Sequence, residues 1–187
     1  ASMQVIDMLR LDVAAGLGTW KFVDDATGNY QEYTETGTEQ TTYTYALKDL
    51  NVGDMPQTSM ALGTTLTPIA GLSVQALFNY YDKNYSDWSP SAREVDSDGA
   101  ADREQVWMAP SYSKLDLHVN YDLPISIAGT KMTAFAHVFN ALDAVYVQDA
   151  VDHSQYNSWG DQEHKAHNAE VFLGIPRNFN AGLKVNF

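Results

Sequence analysis

Cysteine is absent from the 187 residues, which removes a disulfide framework and a thiolate metal site at the outset. No run of about 18 apolar residues occurs, and that excludes a transmembrane helix. Membrane strands stay possible, because a strand hides its apolar residues by alternation. Basic residues are scarce, 11 Lys and Arg against 24 Asp and Glu. The resulting net charge of −13 argues against a nucleic-acid partner and against a basic patch docked on anionic lipid. Neither Gly-x-Ser-x-Gly nor His-Glu-x-x-His is present, so nothing points to an enzyme, and nothing calls for a cofactor. The first residues carry no basic region followed by an apolar run, so an exported protein is expected only if the chain is a piece of something longer.

What the chain does have is alternation. In residues 178–187, Phe179, Ala181, Leu183, Val185 and Phe187 fall on one face, and Asn178, Asn180, Gly182, Lys184 and Asn186 on the other. Period two means a strand, and about 9–11 tilted residues suffice to cross a bilayer. The same pattern recurs in residues 8–22, 59–67, 72–85 and 111–123, and less cleanly in 131–147, where Phe135 and Phe139 interrupt the polar face. Trp20 and Phe22 are expected to close the first strand, where an aromatic belt would sit. The prediction is an all-β, antiparallel up-and-down meander of about six long strands.

Between the strands, loops alternate long and short. Residues 23–57, 86–110 and 148–168 are long, polar and hold most of the acidic residues; a short hairpin is expected around 41–50. Residues 68–71 and 124–130 are tight turns, and 169–176 lead into the last strand. All long loops therefore lie at one end. Strands of 10 to 15 residues also exceed the usual soluble length of about 5–6. Outer-membrane barrels show both features, whereas a soluble sandwich or lipocalin-like binder has little reason to.

Candidate chemistry is sparse. His164 and His167 with Asp161 and Glu163 have metal-ligand character, but a solvated polar loop explains them better, so no metal site is assigned. Asp96, Asp98 and Asp102 with Gly99 lack the twelfth-position Glu of a calcium loop. On the strands, Arg10, Asp12, Gln75, Asn79, Lys114, Asp116, His118, Asn120, Lys184 and Asn186 form a polar wall suited to a lumen. Gly16, Gly18, Gly63 and Gly182 fall on that same face, either to admit another backbone or to relieve twist. In the long loops, Tyr85, Trp88, Trp107, Tyr156 and Trp159 offer stacking surface for a ligand, although Tyr85 and Tyr146 suit an aromatic girdle equally well.

Specific segments resemble a known family. Gly174-Ile175-Pro176-Arg177-Asn178-Phe179, followed by Gly182-Leu183 and terminal Phe187, resembles the closing strand of TonB-dependent outer-membrane receptors. Val138-Phe139-Asn140-Ala141-Leu142-Asp143-Ala144-Val145-Tyr146-Val147 is similar to that family's Phe-Asn-Leu-Phe-Asp-x-x-Tyr segment, with Ala141-Leu142 in place of the commoner Leu-Phe. Tyr112-Ser113-Lys114-Leu115-Asp116 and Asp54-Met55-Pro56-Gln57 also sit where comparable segments lie, and the overall similarity is to receptors of the Bacteroidota type.

The resemblance implies the carboxy-terminal part of a transmembrane barrel of roughly 22 strands, without its plug and earlier strands. It implies location in a Gram-negative outer membrane, with lipid on the apolar faces. It further implies TonB-energised uptake of a scarce siderophore, vitamin or glycan, with TonB contacted through residues preceding this chain. Arg10, Asp12, Gly16, Gly18, Gly63, Asp116, His118, Gly182 and Lys184 would then face lumen or plug. Asn140, Asp143, Tyr146, Pro176, Arg177 and Phe187 would carry the family motif. The alternative is a small structural or adhesive outer-membrane barrel whose loops do the work.

Overall fold

The computed structural model describes residues 1–127, 129–156 and 161–186. Its strands begin with Ser2–Ile6 (β1), Leu9–Leu17 (β2), Ala26–Thr34 (β3), Gly37–Tyr45 (β4), Thr58–Leu66 (β5), Leu72–Asp82 (β6) and Asn84–Tyr85 (β7). Asp87–Trp88 (β8), Met108–Ala109 (β9), Tyr112–Ile127 (β10), Thr130–Phe139 (β11), Val147–Asp152 (β12), Ala169–Leu173 (β13) and Asn178–Asn186 (β14) complete them. No α-helix occurs among the described residues. The chain is all-β.

Seven strands form one antiparallel sheet in the order β1-β2-β5-β6-β10-β11-β14. The sheet is open, with β1 and β14 as its edges, and does not close into a barrel. Its register fixes the faces. Val13, Leu62, Phe78 and Leu115 stand opposite one another in sequence across four strands, and Leu117, Val138 and Phe179 form the next row of that face across three. On β2, β5, β6, β10, β11 and β14 the residues that share this face are uncharged except Asp82, at the loop end of β6. The opposite face carries Arg10, Asp12, Gln75, Asn79, Lys114, Asp116, His118 and Lys184.

No described residue packs on the apolar face. Val13 is 51% exposed, Leu62 48% and Phe179 73%. The buried hydrophobic side chains among the described residues are Ala46, Leu47, Leu50, Val106, Ala109, Tyr146 and Ala150, all in the long excursions. The packed interior thus lies beyond one end of the sheet, where residues 18–57, 83–111 and 140–177 meet; the tight turns lie at the other end.

Several expected boundaries are corrected. The edge on the amino-terminal side is β1, paired with β2 by Met3↔Leu11 and Gln4↔Arg10, and not the strand expected over 8–22. That strand stops at Leu17, so Gly18 lies just past it and Trp20 and Phe22 do not close it. Instead Phe22 N–H donates to Leu50 O at 3.0 Å and Trp20 O accepts from Val52 N–H at 3.0 Å, folding this segment back on its own excursion. Residues 124–127 continue β10 rather than turning, and the irregular pairing between Asp122 and Ser126 absorbs Pro124, which has no N–H to give. The strand expected over 131–147 ends at Phe139, where Asn140 (φ 48°) and Asp143 (φ 54°) adopt left-handed backbone.

The excursions also hold more strand than expected. The hairpin is not at 41–50; β3 and β4 pair over nine residues each around a two-residue turn, with Thr34 Oγ1 donating to Gly37 O at 3.0 Å. Tyr, Thr and Gln supply its β propensity without an apolar face, which is why alternation does not reveal it. Likewise 169–173 is a strand, β13, paired with β12, and β12 also takes β8 as a parallel neighbour.

Candidate functional site

The middle excursion ties the other two together. Towards the first, Ala46 N–H donates to Arg93 O at 2.7 Å and Val95 N–H to Thr44 O at 2.8 Å. Arg103 donates twice to Asp25, at 3.0 and 2.7 Å. This fork, with Lys48 N–H, holds the Asp25 carboxyl well below the usual carboxylate range. Towards the third, Trp107 N–H donates to Asp152 Oδ2 at 2.9 Å, and Asn84 Nδ2 to Gln148 O at 3.3 Å.

At the heart of this cap lies a buried polar cluster. His164 places Nδ1 at 2.8 Å from Asp152 Oδ2 and Nε2 at 3.0 Å from Asp102 Oδ2. Arg93, 1% exposed, pairs through Nη1 with Asp102 at 3.0 Å. Burial pushes the Arg93 guanidinium down, against the pull of Asp102, Asp152 and Glu104. Burial would raise Asp152, but the Ser154 and Trp107 N–H groups and His164 together hold it below its ordinary value. Ser154 Oγ also lies 3.0 Å from His164 Nδ1, so Ser, His and Asp succeed one another. This is no nucleophile arrangement: Ser154 is buried, and the nitrogen beside it already faces the Asp152 carboxylate. The cluster staples loops.

The aromatic residues expected to take a ligand partly converge. Tyr85, Trp88 and Trp107 flank one another through the β7–β9 and β8–β12 pairings and the Ser86 N–H to Trp107 O bond of 2.9 Å. Trp88 packs edge-on against Phe22 at 6.0 Å, so it serves the interior of the cap as well. Tyr156 is 57% exposed, and its hydroxyl lies 2.9 Å from Ser91 Oγ; the Ser89 and Ser91 hydroxyls lower its pKa. Trp159 lies outside the described residues.

Sequence reasoning missed a second aromatic cluster. Tyr30, Tyr43 and Tyr45 line a cleft of about 400 Å³ with Glu32 and Glu94. Tyr30 and Tyr43 meet edge-to-face at 5.4 Å, Tyr45 Oη donates to Tyr30 Oη at 3.1 Å, and Tyr43 Oη donates to Glu32. The signal was the unusual density of Tyr in residues 30–45, without any apolar period to place it. An adjoining cleft of about 470 Å³ is lined by Asp102, Arg103, Glu104, Gln162, Glu163 and His164.

The motif residues form a knot below the cap. Asn140 N–H donates to Asp116 Oδ1 at 2.8 Å, and Asn140 Nδ2 donates to Ala144 O at 2.9 Å and Ile175 O at 3.2 Å. Asp143 Oδ1 accepts from Arg177 N–H at 3.1 Å, next to the looser ion pair with the Arg177 side chain at 3.5 Å. Tyr146 stacks on Tyr112 at 4.4 Å and lies over Gly174, where a Cβ would overlap the ring. Asn178 Nδ2 donates to Pro176 O at 3.1 Å. Two segments some thirty residues apart are thus locked together. Phe187 lies outside the described residues.

No family model, curated protein or solved structure matches this chain.

The polar face of the sheet supplies the remaining candidates. Arg10 and Asp12 pair at 3.0 Å. Asp116 stands on this face but is buried, engaged by Asn140 rather than free to line a lumen. Gly16, Gly63 and Gly182 lie there too, and side chains of the sheet itself come close over each. A Cβ would meet Ser59 Oγ at 2.8 Å, Asp12 Cβ at 3.2 Å and Phe135 Cζ at 2.6 Å respectively. His118 and His137, paired across β10 and β11, bring their Nδ1 atoms to 2.9 Å. No group of three or more His, Cys, Asp or Glu among the described residues is arranged to hold a metal.

Proposed function

We propose that this chain is the carboxy-terminal part of a TonB-dependent receptor barrel in a Gram-negative outer membrane. In this reading further strands close the barrel, the excursions capture ligand outside, and a TonB partner acting through residues elsewhere drives uptake of a siderophore, vitamin or glycan. One observation carries the reading: an apolar face, charged only at Asp82 at its loop end, spans seven strands with no described residue packed on it, while the molecule's packed interior sits at one end. In water such a face would be a large exposed patch, of the kind soluble proteins avoid. In lipid it is the expected outer wall, and the polar face opposite is the lumenal one.

The motif knot supports the family by joining the two segments that carry the resemblance. Capture falls to the cap, where Tyr85, Trp107, Tyr156 and the Tyr30–Tyr43–Tyr45 cleft present aromatic surface beside carboxylates. No covalent step is assigned; binding and release do the work.

The test compares two arginine substitutions three positions apart on β10. Leu117→Arg on the apolar face is expected to cost about 2–4 kcal/mol in a bilayer and to deplete assembled receptor from the outer membrane. Asn120→Arg on the polar face is expected to assemble normally. Equal assembly of the two variants in the full-length protein would sink the reading.

A further inference from the structure

Two histidines on the polar face are set as a ligand pair. His118 on β10 and His137 on β11 are directly opposite in register, and their Nδ1 atoms are 2.9 Å apart. Each ring is held by packing that involves no ion. His137 lies between Phe135 (5.2 Å, 23°) and Phe139 (6.1 Å, 49°), and His118 meets Phe139 edge-on at 5.5 Å. Phe135 in turn lies over Gly182 of β14, where a Cβ would meet its ring. Both rings are half-buried. The pair is therefore preorganised by the sheet and its aromatic neighbours.

Two imidazole nitrogens on one metal at about 2.0–2.1 Å stand roughly 2.9–3.4 Å apart, across cis-octahedral to tetrahedral angles. The observed separation falls at the short end of that span. We propose that His118 and His137 form a two-ligand site for a borderline transition-metal ion such as Zn²⁺, Ni²⁺ or Cu²⁺, bound through both Nδ1 atoms. Imidazole suits these ions, and the absence of thiolates or a free carboxylate beside the pair disfavours softer and harder ones. In the cross-strand register the flanking residues are Gln75 beside His118 and Asn180 beside His137, neutral amides that add no charge.

Without metal, one ring donates its Nδ1–H to the other's Nδ1. With metal, the donor ring moves that proton to its Nε2, and both Nδ1 lone pairs turn to the ion. Two protein ligands leave coordination positions open, so the site suits an ion that keeps water or carries another ligand of its own. The inference stands on sheet geometry and not on the receptor reading.

The experiment titrates Zn²⁺ and Cu²⁺ into the chelator-stripped full-length protein in detergent, with calorimetry for stoichiometry and Cu²⁺ electron paramagnetic resonance for nitrogen couplings. One equivalent with two nitrogen couplings is expected. His118→Ala and His137→Ala should each weaken that binding at least tenfold and reduce the couplings to one. His153→Ala and His167→Ala, in the loops, should leave it unchanged, and circular dichroism checks that every variant keeps its strands. Loss of binding only in the loop variants would overturn the proposal. So would full retention in both sheet variants, or no binding by the parent protein up to millimolar metal.

Discussion

At the scale of single residues, the cap depends on a few buried polar groups. His164 bridges Asp102 and Asp152, and so joins the middle excursion to the third. His164→Ala leaves the Asp102 and Asp152 carboxylates facing a hole. In the receptor reading the expected result is faster proteolysis within 148–168 on intact cells, with the level of assembled protein unchanged. Asp54 provides a pH handle. Burial, then the neighbouring Asp149 and Asp87, raise its pKa from 3.8 to about 6. Because the folded value is raised, the contribution is full below the unfolded value near 4 and is lost as pH climbs through about 6. Thermal unfolding of the cap should therefore move to lower temperature as pH rises from about 4 to 6, and level off above that. Asp54→Asn should flatten that slope, and a slope unchanged in Asp54→Asn would assign it to another group.

At the scale of elements, the knot between β11 and β14 is the connection most sensitive to volume. Gly174 has no alternative because the Tyr146 ring occupies the space of its Cβ, and Tyr146 cannot retreat while stacked on Tyr112 at 4.4 Å. Gly174→Ala should cost about 1–3 kcal/mol by overpacking. Tyr146→Leu in the same chain should recover much of that loss, a coupling that a double-mutant cycle measures directly. Gly182→Ala should be milder, since it meets only the far end of the Phe135 ring at 2.6 Å. The Asn140 and Asp143 side chains explain why the chain leaves β11 so abruptly. They replace strand pairing by a local bond from Ala144 and a long-range one from Arg177, from left-handed backbone that Asn and Asp tolerate better than most residues.

At the scale of the molecule, the open edges decide behaviour. β1 and β14 each present a row of backbone donors and acceptors with no neighbouring strand. In a bilayer each such group costs several kcal/mol, so in the receptor reading other strands cover both edges. The 187 residues expressed alone should therefore collect in inclusion bodies or aggregate edge to edge in detergent. A monomeric, heat-stable species with a sharp β spectrum would contradict this and restore the small self-contained barrel as the better description.

Period two is a local property, and it determined much from sequence alone. Leu115, Leu117 and Val119 against Lys114, Asp116 and His118 already separated the two faces, and the register confirms that separation strand by strand. The order of long and short connections likewise followed from where alternation stopped. Tertiary structure decided what alternation cannot express. The β3–β4 hairpin has polar side chains on both faces, so burial leaves no period in its sequence. Asp102 and His164 are 62 positions apart, and only the docking of two excursions makes them neighbours. In the sequence His118 stands as one member of the polar wall, and nothing singles out His137. Their pairing depends on register, which is set by hydrogen bonding across the β10–β11 turn and leaves no mark on either strand by itself.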